Sequence, residues 1–76
     1  MQTNSEIGSL IQAARKAQHI SQMELQDMSG VSASVIYKAE KGRTDLTLGS
    51  FMALCDSLGM QVTCRSPLGT EVRLHG

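Results

Sequence analysis

A chain of 76 residues is one small domain by length. With 41% apolar residues but one Phe, one Tyr and no Trp, its core must come from Leu, Ile, Val, Met and Ala. Seven basic residues balance seven acidic ones, which excludes a general polyelectrolyte attraction to nucleic acid or membrane. Any such affinity must come from local charge or from several copies acting together.

So short a chain buries only roughly 60% of its extended surface, and oligomerisation is a common remedy. Cys55 and Cys64 fit neither a metal-ligand pair nor a secreted disulfide framework, so both are read as reduced thiols of a cytoplasmic protein. No apolar run approaches the roughly 18 residues of a membrane span, and the N-terminus lacks a signal peptide's basic and apolar regions. No nucleophile–base pair, carboxylate dyad, metal cluster or phosphate-binding glycine loop stands out, so neither an enzyme nor a cofactor is expected.

Residues 1–5 are polar and aperiodic, an expected flexible N-terminus, with Asn4 or Ser5 able to cap a first helix. Ile7, Leu10, Ile11 and Ala14 recur at helical spacing, and Arg15 and Lys16 complement the dipole of the last turns. His19 sits where a left-handed cap is common, and no partner cluster makes it a ligand or switch. Ser21 and Glu24 form an S-x-x-E capping box for a second helix carrying Met23, Leu25 and Met28, and Gly30 stops it. Ser32 caps a third helix running to about Glu40, with Gly42 beyond its end. Thr47 caps a fourth, whose broad apolar face comprises Leu48, Phe51, Met52, Leu54, Cys55 and Leu58, and Gly59 closes it. Met28, Met52 and Met60 are read as core fillers.

The tail changes period. Met60, Val62 and Cys64 alternate with polar residues, Ser66-Pro67-Leu68-Gly69 is a turn, and Glu71 to Leu74 alternates again. An isolated hairpin is marginal in water, so this tail must pack on the helices or pair with another chain. Cys64 in that strand is expected as a buried free thiol.

Two short helices joined by a glycine turn suggest a helix-turn-helix. At about 100° per residue, Ser32, Ile36 and Ala39 share one side of the third helix, while Ala33, Ser34, Tyr37, Lys38 and Lys41 span an arc of about 140° on the other. Small, hydroxylic and cationic side chains on one arc suit a major groove. Ala33 can meet a thymine methyl, Ser34 can donate or accept, Lys38 can reach guanine, and Lys41 and Arg43 can reach phosphates. An ordinary solvated helix face has the same composition, and periodicity alone does not separate the two.

The run Ser21-Gln22, Glu24-Leu25, Met28-Ser29-Gly30-Val31-Ser32, Ile36, Lys38, Glu40 and Gly42, with Thr47-Leu48 through Leu58-Gly59 after it, resembles the lambda-repressor/Cro helix-turn-helix family over residues 6–59. The resemblance implies a mainly α, compact four- to five-helix lambda-repressor-like domain over residues 6–59, followed by a short C-terminal β-strand or hairpin over residues 60–76. It implies that Gln22 contacts DNA at the head of the second helix, and that Ser32, Ala33, Ser34, Tyr37 and Lys38 meet the major groove. Ile36 becomes the buried anchor, Gly30 the tight turn, and Arg15 with Glu40 a partly buried salt bridge between helices one and three. Two positions depart from the family: Gln26 replaces its usual Ala, and Ala39 replaces a larger aliphatic, a candidate compensating swap of volume. Ala33 and Ser34 also replace longer side chains, which thins direct readout and shifts weight to DNA shape.

Leu58 to Cys64 resembles the end of HipB-type antitoxins, in which a strand pairs with its copy in a second subunit. That resemblance implies dimerisation through Met60, Val62 and Cys64, palindromic operator DNA as one partner, and a kinase-like toxin as another. A two-fold dimer sets its recognition helices about 34 Å apart, one turn of DNA. The expected function is an autoregulating transcriptional repressor of toxin–antitoxin type. Its alternatives are a stand-alone phage or mobile-element repressor, and an interaction module that has lost DNA binding.

Overall fold

Three of the four helices begin where a hydroxyl side chain takes over an orphan backbone N–H. In the computed structural model, which describes residues 3–74, the elements are α1 (Thr3–Ala17), α2 (Gln22–Ser29), α3 (Ala33–Glu40), α4 (Leu48–Ser57), β1 (Val62–Arg65) and β2 (Glu71–Leu74). Ser21 accepts from the Glu24 N–H while the Glu24 carboxylate accepts from the Ser21 N–H, a reciprocal capping box for α2. Ser32 and Thr47 accept from Val35 and Ser50 in the same way. At the other ends, His19 and Gly30 take the left-handed conformation (φ 57° and 78°), which turns the chain after α1 and α2.

α1 starts earlier than its sequence suggests. Residues 3–5, expected to be flexible, are helical, and Ser5 lies inside the helix rather than capping it; residues 1 and 2 of that segment lie outside the described residues. The reason is tertiary. The turn after α3 lies against this end of α1, so closely that a Cβ on Gly42 would fall 2.6 Å from Ser5 Oγ and 3.0 Å from its Cα.

Ile11, Leu25, Ile36 and Leu54 are fully buried, with Val31 and Leu58 joining them, so all four helices supply the core. Ile7, Ala14, Ile20, Leu46, Phe51 and Met60 pack around it. Several apolar residues expected inside are exposed instead: Leu10, Met23, Met28 and Leu48. Geometry explains the first two. Leu10 lies about 100° from Ile11 around α1, and Met23 about 160° from Leu25 around α2, so neither can follow its neighbour inward.

α1 and α3 approach very closely at Gly8. A Cβ there would stand 2.0 Å from the Ala39 carbonyl oxygen, so only glycine permits this crossing. Ala39 also lines an apolar groove of about 320 Å³ with Ile7, Leu46 and Phe51.

After α4 the chain forms an antiparallel hairpin in the register Val62↔Leu74, Thr63↔Arg73, Cys64↔Val72 and Arg65↔Glu71. Pro67 leads the turn and Gly69 supplies its left-handed residue (φ 88°), with the Gly69 N–H donating to Ser66 O at 3.0 Å. Only Val62 and Leu74, opposite each other at the base, are half-buried. Cys64 and Val72 are exposed, so the expected burial of the Cys64 thiol does not hold within one chain. The strand beside β1 is the chain's own β2, and a second subunit can pair only along an outer edge. Residues 75 and 76 of the tail lie outside the described residues. Among the described residues, no helix is long and apolar enough to cross a membrane.

Candidate nucleic-acid interface

The module is held from behind by a buried ion pair. Arg15 Nε donates to Glu40 Oε2 at 2.7 Å and Nη2 to Oε1 at 2.9 Å, a two-pronged bond between α1 and the end of α3. Arg15 Nη1 reaches the Ile20 carbonyl at 2.8 Å, so the guanidinium also fixes the link into α2. Both side chains are nearly inaccessible, at 11% and 1%. The hydrogen bonds to Glu40 raise the Arg15 pKa further above its already high value, against an opposing push from burial. Arg15 and Glu40 thus pair across α1 and α3.

Gln22 is drawn into the same cluster. It is half-buried, and its Nε2 donates to Glu40 Oε1 at 3.2 Å, so the side chain expected at DNA is tied inward at one N–H. Its oxygen and second N–H make no bond to any of the described residues.

On α3, Ile36 is completely buried and Ala39 nearly so, which fixes the helix's rotation. Ser34, Tyr37, Lys38 and Lys41 consequently face solvent, and Ala33 is half-buried at the first turn. Ser32 is exposed while its hydroxyl oxygen caps the helix. Arg43 joins this face because its N–H donates to the Lys38 carbonyl at 2.9 Å, folding the loop back over the end of α3. Lys41 Nζ lies 5.7 Å from the centre of the Tyr37 ring, a cation–π contact that leaves the charge in water.

The electrostatics of this face differ from those of the whole chain. Between Ser32 and Thr44 the only acid is Glu40, which is buried and neutralised by Arg15. Lys38, Lys41 and Arg43 are exposed. A chain of zero net charge therefore presents a locally cationic surface at α3.

Two residues carry roles that sequence reading misses or misassigns. Gly8 sets the α1–α3 crossing, and its signal was present: a glycine inside an amphipathic helix, where propensity disfavours it. Gln26, read as a volume change, instead sends Oε1 from α2 to the Ala33 N–H at 2.7 Å. It satisfies the first N–H of α3. Of the residues expected to join subunits, Met60 packs on the chain's own core, Val62 is half-buried and Cys64 is exposed. Among the described residues no cluster of His, Cys, Asp or Glu could hold a metal ion.

A short helix, a left-handed glycine turn and a second helix anchored on one side and open on the other make this a helix-turn-helix module. The helix-turn-helix family profile matches residues 11–63, and the chain belongs to that family, whose lambda-repressor/Cro-like members are DNA-binding regulators. An uncharacterized HTH-type transcriptional regulator, y4mF of Sinorhizobium fredii (strain NBRC 101917 / NGR234), is 28% identical over 67 residues, covering 88% of each chain. The crystal structure of the restriction-modification controller protein C.AhdI from Aeromonas hydrophila superposes with a TM-score of 0.75 at 23% identity. The superposition covers 79% of this chain and 91% of that one, a likeness of fold.

Proposed function

We infer that this protein is a transcriptional repressor that binds duplex DNA by laying α3 in the major groove. The observation that carries the reading is the exposed, locally cationic face of Ala33, Ser34, Tyr37, Lys38, Lys41 and Arg43, on a helix whose opposite side is anchored by Ile36 and Glu40. Lys38 reads a base edge, Lys41 and Arg43 neutralise phosphates, and the hydroxyls of Ser32 and Ser34 donate at the helix entry. The half-buried Gln22 uses its free amide groups at the backbone.

One copy offers few charges, and a homodimer doubles them. Two subunits joined through the tail at Met60, Val62 and Cys64 would read the two halves of a palindrome. Support for this arrangement is the open outer edge of the two-stranded hairpin and the exposed face that Cys64 and Val72, opposite each other, share beside it. The similarity of Leu58 to Cys64 to the end of HipB-type antitoxins further favours an autoregulating antitoxin with a kinase-like toxin as its second partner. A stand-alone repressor has the same DNA chemistry, and a neighbouring gene for a kinase-like protein separates the two.

Titration of the DNA upstream of its own gene at two salt concentrations tests the reading. A steep loss of affinity with salt is expected, because each neutralised phosphate releases counterions. No binding at low salt would leave only an interaction module. A chain ending at Gly59 should sediment as a monomer, and a stable dimer would rule out pairing through the tail.

A further inference from the structure

Gln26 stands at the junction of α2 and the first turn of α3, and its amide is oriented. Within an amide only the oxygen accepts from an N–H, so Oε1 is the atom facing Ala33 and Nε2 takes no part in that bond. Nε2 makes no hydrogen bond to any of the described residues. Among the described residues no buried side-chain nitrogen or oxygen lacks a partner, so Nε2 of this half-buried residue reaches solvent. Two N–H donors are therefore held beside Ala33, at the end of α3 where side chains are smallest.

We propose that Gln26 is a specificity-determining residue that reads a guanine at the edge of the major groove facing the first turn of α3. This rests on the DNA-binding reading above. A free glutamine pairs with adenine by using its oxygen and nitrogen together. Here the oxygen is engaged by the helix itself, which leaves a donor-only group. Guanine answers such a group best, since O6 and N7 are adjacent acceptors, whereas cytosine presents a donor and is rejected. The bond to Ala33 also pre-orients the amide, so less rotamer freedom is lost on binding. Ala33 and Ser34 are too short to reach far, and Gln26 supplies the reach from the neighbouring helix.

The test selects duplexes from a randomised pool with the full-length chain and with its Gln26→Glu and Gln26→Met variants, then measures affinities by fluorescence anisotropy. Gln26→Glu keeps an oxygen for the Ala33 N–H and replaces the donors with an acceptor. Gln26→Met keeps the length and removes both functions. The wild-type chain should enrich a guanine at one position in each half-site, and exchanging it for cytosine should weaken binding about 5- to 30-fold. Gln26→Glu should move that preference toward cytosine, and Gln26→Met should flatten it, with other positions unchanged. Retention of guanine by Gln26→Glu would show that Gln26 only caps α3 and would overturn the proposal. Should Gln26→Met fail to fold, Gln26→Glu decides alone. If the wild-type chain enriches no sequence, the DNA-binding reading fails and takes this one with it; if all three chains enrich one motif, only the Gln26 assignment falls.

Discussion

The helix-turn-helix and the hairpin are held by opposite means. Around the segment from Ser21 to Glu40, polar side chains bridge elements, Arg15 and Gln22 to Glu40 and Gln26 to Ala33, and Ser21 with Glu24 closes the start of α2. The hairpin has its own ladder, a turn, and one exposed salt bridge from Arg65 to Glu71 at 3.2 Å. The first region is over-determined, which suits the proposed entry of α3 into a groove at a fixed angle. The second is half-buried only at Val62 and Leu74 at its base, which leaves most of its surface open to another molecule.

The comparison breaks most severely at Glu40. Glu40→Ala leaves a buried guanidinium without its partner and should cost about 3–5 kcal/mol, read as a large fall in the urea midpoint. A loss below about 1 kcal/mol would mean that water replaces the carboxylate. Gly8→Ala comes next. Its methyl must displace the Ala39 carbonyl, and separating α1 from α3 should cost about 1–3 kcal/mol even though alanine favours helix. A gain in stability would show that the crossing is slack.

The two thiols sharpen the contrast at smaller cost. Cys55 is buried in α4, and desolvation, assisted by Asp56, pushes its pKa up. A raised folded-state value stabilises the fold fully below the unfolded thiol's pKa of about 8.5, and this contribution is lost as pH rises past it. Iodoacetamide at neutral pH should therefore label the exposed Cys64 within minutes and leave Cys55 untouched until the chain unfolds. Slow labelling of Cys64 that quickens on dilution would reveal a dimer covering the hairpin. Arg65→Ala should matter least. Both partners of its salt bridge are more than half exposed, so solvent screening holds the change within about 0.5 kcal/mol of zero.

Much of this molecule is legible in its sequence, because its elements are signed by local chemistry. Ser21 with Glu24, Ser32 and Thr47 announce helix starts through bonds that reach three residues, and Gly30 announces a left-handed turn. The inward place of Ile36 follows from the same short range. What escapes is long-range. The Gly8 contact joins residues 31 apart in the chain, and the turn at Gly42 packs against Ser5 of α1 from 37 residues away. Periodicity reports which side of a helix is apolar but not how wide the buried stripe is, so Leu10, Met23 and Met28 are misplaced by it. Gln26 shows the limit most clearly: a departure from the family pattern flags the position, yet only its 2.7 Å bond to Ala33 reveals the role. The exposure of Cys64 follows from how little of the hairpin the helices cover, a quantity no local pattern encodes.

On the proposed reading, the open face of α3 is the surface that meets DNA. An NMR titration of the ¹⁵N-labelled chain with a duplex it has selected tests it directly, since every backbone N–H on that face reports separately. The largest shifts should fall at Ala33, Ser34, Tyr37, Lys38 and Lys41, with Gln26 among them through its side-chain amide. Shifts confined to the hairpin, or to the groove beside Phe51, would place the interface elsewhere and contradict the account.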